Sequence, residues 1–229
     1  MKQSFERYEK KYILTKLQAS EMIAFLKGKM TFDRHHEPNN IVPYKIHSIY
    51  LDDKEARIIH KSLEKPSYKE KYRLRWYEDS TMMYLEVKTK YLKRSHKKRI
   101  SINQKDSQQN DYHTLIKDAF NTSYLTSITH QPISRYCLIE YDRIAFDDEY
   151  HHLRITFDYD VSYTFDNVKT ALFNHETVIM EIKYDQSLPR FITHYLSKHK
   201  FYSQSLSKIG LTHLQHKGAT LCHSQFTGF

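Results

Sequence analysis

Glycine is scarce in this chain, with 4 residues among 229. So few glycines cannot build a Gly-rich phosphate loop, which excludes the P-loop and Rossmann routes to nucleotides. Cysteine is nearly absent as well. Cys137 and Cys222 are too few for a disulfide framework, and neither belongs to a Cys-x-x-Cys pair, so a zinc site is not expected. No run of 18 apolar residues occurs, and the N-terminus lacks the apolar stretch of a signal peptide. The expectation is a soluble, cytoplasmic chain. It reads as one domain over residues 1–229, with a core over about 5–211 and a loose tail after Thr212. No internal repeat and no linker interrupts it. What the chain has in plenty is basic charge, a formal +9, and 19 tyrosines. Excess basic charge favours anionic partners: nucleic acid, phosphorylated molecules or an acidic surface.

Tyr68 to Tyr77, read Tyr-Lys-Glu-Lys-Tyr-Arg-Leu-Arg-Trp-Tyr, shows where that charge goes. In a strand, successive side chains point to opposite faces. Tyr68, Tyr72, Leu74 and Trp76 then share one face, and Lys69, Lys71, Arg73 and Arg75 the other. Cations repeating about every 7 Å repel one another unless something anionic lies along them. A single such strand would be unremarkable, a half-exposed strand with a solvated basic face. Other segments repeat the pattern.

Phe5 to Leu14 sets Arg7, Glu9 and Lys11 against Tyr8, Tyr12 and Leu14. Met82 to Leu92 sets Glu86, Lys88 and Lys90 against Leu85, Val87 and Tyr91. His96 to Asn103 sets Lys97 and Arg99 against Ile100 and Ile102. Further strands are expected over Tyr44 to Asp52, Ser134 to Phe146, Leu153 to Tyr163 and Thr177 to Asp185. Leu153 to Tyr163 places Arg154, Thr156, Asp158 and Asp160 on one face. Thr15 and Gln18 form a capping box that opens a helix stopped near Gly28. Helices are also expected from about Lys54 to Glu64, over Gln104 to Phe120 and over Pro189 to Lys200. Thr31 to Pro43 reads as polar loop, and Ser203 to Leu211 as a return that could form one more strand. Amphipathic helices need apolar surface to pack on. The expected fold is therefore α+β: a closed antiparallel β-barrel of about eight strands, apolar faces outward under flanking helices, charged faces lining a basic tunnel.

These segments resemble the VTC domain, the polyphosphate polymerase domain of the vacuolar transporter chaperone family, within the triphosphate tunnel metalloenzymes or CYTH-like proteins. The resemblance is carried by Phe5-Glu-Arg-Tyr-Glu-Lys-Lys-Tyr12, Tyr68 to Tyr77, Leu85-Glu-Val-Lys88, Tyr141-Asp-Arg143, Leu153-Arg-Ile-Thr-Phe-Asp158, Met180-Glu-Ile-Lys183 and Ser205-Leu-Ser-Lys208. It implies transfer of the γ-phosphoryl group of ATP onto inorganic polyphosphate inside the tunnel. It implies catalytic roles for Lys11, Arg73, Arg75 and Lys88. It also implies phosphate binding by Lys97, Arg99, Tyr141, Arg143, Arg154, Ser207 and Lys208. A divalent metal, Mn²⁺ or Mg²⁺, would be held by Glu181, with Glu9 and Glu86 as further candidates.

The wider superfamily opens Glu-x-Glu-x-Lys; here Arg7 replaces the first glutamate, giving Arg7-x-Glu9-x-Lys11. That loss removes a metal ligand and weighs against a hydrolase that must activate water. The alternatives are a tunnel triphosphatase and a non-catalytic module binding polyanions or nucleic acid. The implied partners are ATP and inorganic polyphosphate, with no specific nucleic acid; a membrane partner would be a separate protein.

Overall fold

The structure is a computed structural model that describes residues 7–33, 41–78, 80–92, 94–103, 106–108 and 110–218. Phe5 and Glu6 of the opening motif and the tail beyond Gly218 lie outside the described residues.

The strands are β1 (Tyr8–Thr15), β2 (Thr31–Phe32), β3 (Tyr44–Asp52), β4 (Tyr68–Tyr77), β5 (Met83–Tyr91), β6 (Arg94–Ile102), β7 (Ser134–Asp148), β8 (Leu153–Phe165), β9 (Val168–Ala171) and β10 (Thr177–Tyr184). The helices are α1 (Lys16–Leu26), α2 (Arg57–Leu63), α3 (His113–Phe120), α4 (Tyr124–Ile128), α5 (Arg190–Lys198) and α6 (Lys208–His216). The main sheet runs β1-β10-β8-β7-β3-β4-β5-β6, with β2 on β7 and β9 on β8, and its ladders are antiparallel.

Alternation sorts the faces as expected. The outward residues Tyr12, Leu14, Ile155, Phe157, Val178, Met180 and Ile182 are buried under α1 and α5. α1 starts where Thr15 Oγ1 accepts from Gln18 N–H and Gln18 Oε1 accepts from Thr15 N–H, the capping box. Its Ala19, Met22, Ile23 and Leu26 meet Ile192, Tyr195 and Leu196 of α5 over that surface. On the far side Tyr72, Leu74, Leu85 and Val87 lie beneath Tyr112, Ile116 and Phe120 of the α3 region and Leu125 of α4. Each fully buried side chain of this size contributes about 1.5–3 kcal/mol. A third cluster shares the inward face: Ile139 and Ile179 meet Leu206 and Ile209 beside α6.

The sheet is not closed into a barrel, contrary to expectation. Among the described residues its two edges meet at a single bridge, where Arg7 and Ser95 exchange backbone hydrogen bonds of 3.3 and 3.2 Å. With Arg7 antiparallel to Ser95, β1 runs past the start of β6 after Tyr8, so the two edges overlap only briefly; further along, Gln204 N–H donates to the Lys11 carbonyl at 2.7 Å.

Other expectations shift for local reasons. α2 begins at Arg57 rather than Lys54, because Ala56 takes a left-handed φ of 58° and the Asp52 carboxylate accepts from the N–H groups of Ile58 and Ile59. The helix expected over Gln104 to Phe120 splits into a short 3₁₀ turn at Asp106–Gln108 and α3. The Ser203 to Leu211 return is not a strand; α6 starts at Lys208 and runs to His216, past the expected loose point at Thr212. Thr31–Phe32 pairs with β7 inside a segment expected to be loop. In β8, a register shift opposite Glu140 and Asp142, with Asp160 at φ 46°, breaks the alternation. Asp160 leaves the inner face and makes a 4.0 Å contact with Lys16, while Val161 and Tyr163 join the inner apolar cluster. Among the described residues, no helix is long and apolar enough to cross a membrane.

Candidate phosphate-binding cavity

The inner face of the curved sheet encloses a cavity of about 1620 Å³. Lys11, Arg73, Arg75, Lys88, Lys97, Arg99, Tyr141, Arg143, Arg154, Glu181, Ser207 and Lys208 all line it, and so do Lys69, Lys71 and Lys183. Strand alternation accounts for most of the convergence, since β1, β4, β5, β6, β7, β8 and β10 each turn a charged face to the same space, and the start of α6 adds Ser207 and Lys208.

Two buried carboxylates hold the cations from behind. Glu86, 1% exposed, accepts from Arg73 Nε at 2.8 Å, lies 2.5 Å from Lys97 Nζ and 3.9 Å from Arg75. Burial alone would raise its pKa, but Lys97, Arg73 and Arg75 outweigh that and hold it well below the carboxylate range. Asp158, fully buried, takes a bidentate grip from Arg143 at 2.6 and 2.8 Å, and Lys208 Nζ at 2.5 Å. Against its burial, Arg143 and Lys208 bring it down to about 2. Glu86 and Asp158 do not themselves line the cavity. The structure therefore places Glu86, a candidate metal ligand, beneath three cations.

Hydroxyl groups complete the arginines. Arg75 donates to Ser48 Oγ at 3.0 Å and to Tyr141 at 2.8 Å, and Arg73 donates to Tyr50 at 3.2 Å. Burial works against ionisation of Tyr141, yet Arg143 and Arg75 lower its pKa. Arg99 lies over the Tyr84 ring at 4.7 Å. Arg154 sits at one end of the cavity, between Asp33 at 2.5 Å and Asp147 at 2.6 Å.

The lysines are less well neutralised. Lys88 reaches Glu9 at 2.5 Å, and Glu9 and Glu181 raise its pKa against its burial. Among the described residues Lys71 has only Ser207 Oγ as a partner, at 2.8 Å. Burial first, then Lys11, Lys69, Lys88 and Lys90, push it well below the ordinary lysine value. Lys11 donates to the Leu206 carbonyl at 2.9 Å, and burial lowers it too, with Glu181 opposing. Burial also brings Lys183 down to about 8, against Glu181 and Glu9. Desolvated cations without full counter-charge gain most when an anion arrives.

Sequence reasoning puts Lys69, Lys71 and Lys183 on the charged faces of their strands but leaves them out of the site. All three repeat the i, i+2 alternation of neighbours that belong to the expected site, which is signal enough. The anchoring roles of Glu86 and Asp158 have no such signal, because they depend on which strands face each other.

Among the described residues, no group of three or more His, Cys, Asp or Glu could hold a metal ion. Glu9 and Glu181 both line the cavity, and the register pairs them with Lys183 and Lys11, which sets them diagonally across β1 and β10. Two carboxylates do not make a protein cage. They do fit Mg²⁺ or Mn²⁺, which can be held by one or two carboxylates with substrate phosphates supplying the rest.

Residues 6–212 match the VTC domain. The chain belongs to the VTC domain family. Among solved structures, this VTC-domain chain resembles a candidate adenylyl cyclase of Hippeastrum whose structure is described as revealing a dominant triphosphatase activity. The TM-score is 0.57 at 10% identity, over 97% of this chain and 98% of that one. It also resembles candidate adenylate cyclases of Bacillus halodurans, at TM-score 0.54 and 9% identity over 89% and 95% of the two chains, and of Vibrio parahaemolyticus, at 0.54 and 10% over 92% and 99%. At such identities the likeness shows a shared fold, that of the triphosphate tunnel or CYTH-like proteins. No curated protein matches the chain. Family match and fold agree over nearly the whole chain.

Proposed function

We propose that this VTC domain is a polyphosphate polymerase that moves the γ-phosphoryl group of ATP onto the end of an inorganic polyphosphate chain. The observation that carries this reading is the state of the inner carboxylates. Glu9 is taken by Lys88, Glu86 by Arg73 and Lys97, Asp158 by Arg143 and Lys208, and Glu181 lies 3.9 Å from Lys11 and 3.8 Å from Lys183. Hydrolysis needs a base to activate water. An ionised terminal phosphate needs none, so an acceptor chain suits a cavity whose central carboxylates, Glu9 and Glu181, stand beside lysines.

In the proposed reaction a terminal oxygen of the chain bonds to the γ-phosphorus, the bond from that phosphorus to the bridging oxygen breaks, and ADP leaves with the electron pair. Phosphoryl transfer asks mainly for positioning and neutralisation of charge. Arg73 and Arg75 offer planar forks to adjacent phosphates, fixed from behind by Glu86, Ser48 and Tyr141. Lys11 and Lys88 supply mobile point charge in the middle of the cavity. Lys97, Arg99, Tyr141, Arg143, Arg154, Ser207 and Lys208 hold the remaining phosphates. Glu181 with Glu9 would hold the divalent metal, which would supply positive charge to offset the negative charge developing on the leaving group.

Purified protein incubated with ATP and Mn²⁺ or Mg²⁺ tests the reading. The expected products are ADP and long-chain polyphosphate, with little free phosphate, and chelation of the metal stops both. Free phosphate formed in step with ADP, and no polymer, would instead identify a triphosphatase.

A further inference from the structure

The cavity is not electrically uniform along its length. At the Arg154 end, Asp33 and Asp147 neutralise the guanidinium, and Glu149 lines the same region. The register places Lys69 opposite Lys90 across β4 and β5, at the other end, with Lys71 opposite Lys88 one step further in. Like charges directly opposite are destabilising in an antiparallel pair. Among the described residues, Lys65, Lys69 and Lys90 line this end with no carboxylate partner; Lys69 Nζ donates only to the Ser62 carbonyl, at 2.8 Å. Burial depresses Lys69, and Lys90 and Lys65 add to the depression.

We propose that Lys65, Lys69 and Lys90 form a chain-extension subsite, which takes the part of a linear phosphate polymer lying beyond the phosphates held in the middle of the cavity. From Lys69 to Arg75 the inner face of β4 runs roughly 20 Å. That track outreaches a triphosphate, so the lysine end meets only a longer chain. A polyanion with charge on every repeat matches cations spaced along one strand and across to its neighbour. This subsite rests on the cavity binding phosphates, and it holds whether the chain is synthesised or cleaved.

The test compares two ligands, tripolyphosphate and long-chain inorganic polyphosphate, on the unaltered protein and on a Lys65→Gln, Lys90→Gln double variant at two salt concentrations. The expected result is a loss of about tenfold in affinity for the long chain, with a salt slope shallower by about 0.7 for each contact removed. Affinity for tripolyphosphate should stay within about twofold. A Lys10→Gln, Lys198→Gln variant removes the same charge away from the cavity and should leave the ratio of the two affinities unchanged. Equal losses for both ligands, or no loss for the long chain, would overturn the subsite while leaving the proposed function standing. Failure of the unaltered protein to bind tripolyphosphate would overturn both. A single-stranded oligonucleotide that competes better than long-chain polyphosphate would also overturn the subsite and point to nucleic acid.

Discussion

Arg73 and Arg143 show the same device on different walls of the cavity: a guanidinium aimed at ligand space, held from behind by a carboxylate that solvent cannot reach. A buried carboxylate with good geometry holds its partner stiffly, which matters more here than any net gain in stability. Lys71 is the contrasting case, a desolvated cation with a hydroxyl for company. Its pKa lies well below the ordinary 10.5, so an arriving phosphate restores the proton it has been losing. The sign follows directly. Anion affinity is full at low pH, where Lys71 carries its proton, and falls as pH rises through the depressed value, because binding must then take up a proton. Lys71→Arg, which stays charged, should flatten that decline for tripolyphosphate. Binding measured across the alkaline range on both proteins checks it; identical slopes would show that Lys71 does not meet the ligand. At this scale alternation makes the cationic faces readable from sequence. It cannot reveal that Glu86 lies behind three cations rather than in front of them, since that depends on the depth of packing.

α6 joins local chain chemistry to the site. Ser207 caps it by accepting from Gly210 N–H at 3.2 Å, and the same oxygen accepts from Lys71 at 2.8 Å. The next residue, Lys208, reaches Asp158. Ser207→Ala should therefore cost about 1 kcal/mol of stability, the usual loss for an N-cap. The loss should appear as a lower denaturant midpoint with an unchanged slope. Ser207→Asp caps equally well and should restore the midpoint, yet it adds negative charge beside Lys71 and should weaken tripolyphosphate binding. If both substitutions affected stability and binding alike, the cap and the site would not be separate functions of this side chain. The helix itself is hard to foresee. α1 announces itself with a capping box and regularly spaced apolar residues, whereas Ser203 to Leu211 has a short polar start and few apolar positions. Its helical state is fixed by Leu206 and Ile209 packing on Ile139 and Ile179, partners far away in the chain.

The whole molecule is a curved sheet whose apolar outside is covered by helices and whose charged inside is left for a ligand. Repeated alternation along the strands makes that division readable in the amino-acid sequence. Closure is not readable there, because it turns on the register in which the edges of β1 and β6 meet, and Arg7 faces Ser95 at the very start of β6. The central claim is that the cavity does more than attract polyanions: it positions them. A mere polyanion trap that loses two of many cations should weaken modestly and in a salt-dependent way. A positioning site should behave differently, since a displacement of about 1 Å can cost on the order of a hundredfold in rate while binding survives. The most direct test measures polymer synthesis from ATP and affinity for long-chain polyphosphate on one preparation of an Arg73→Ala, Arg75→Ala double variant. Synthesis should fall by about a hundredfold or more while affinity falls by about tenfold or less. Parallel losses in both, or synthesis that persists, would contradict positioning and leave only a polyanion-binding cavity.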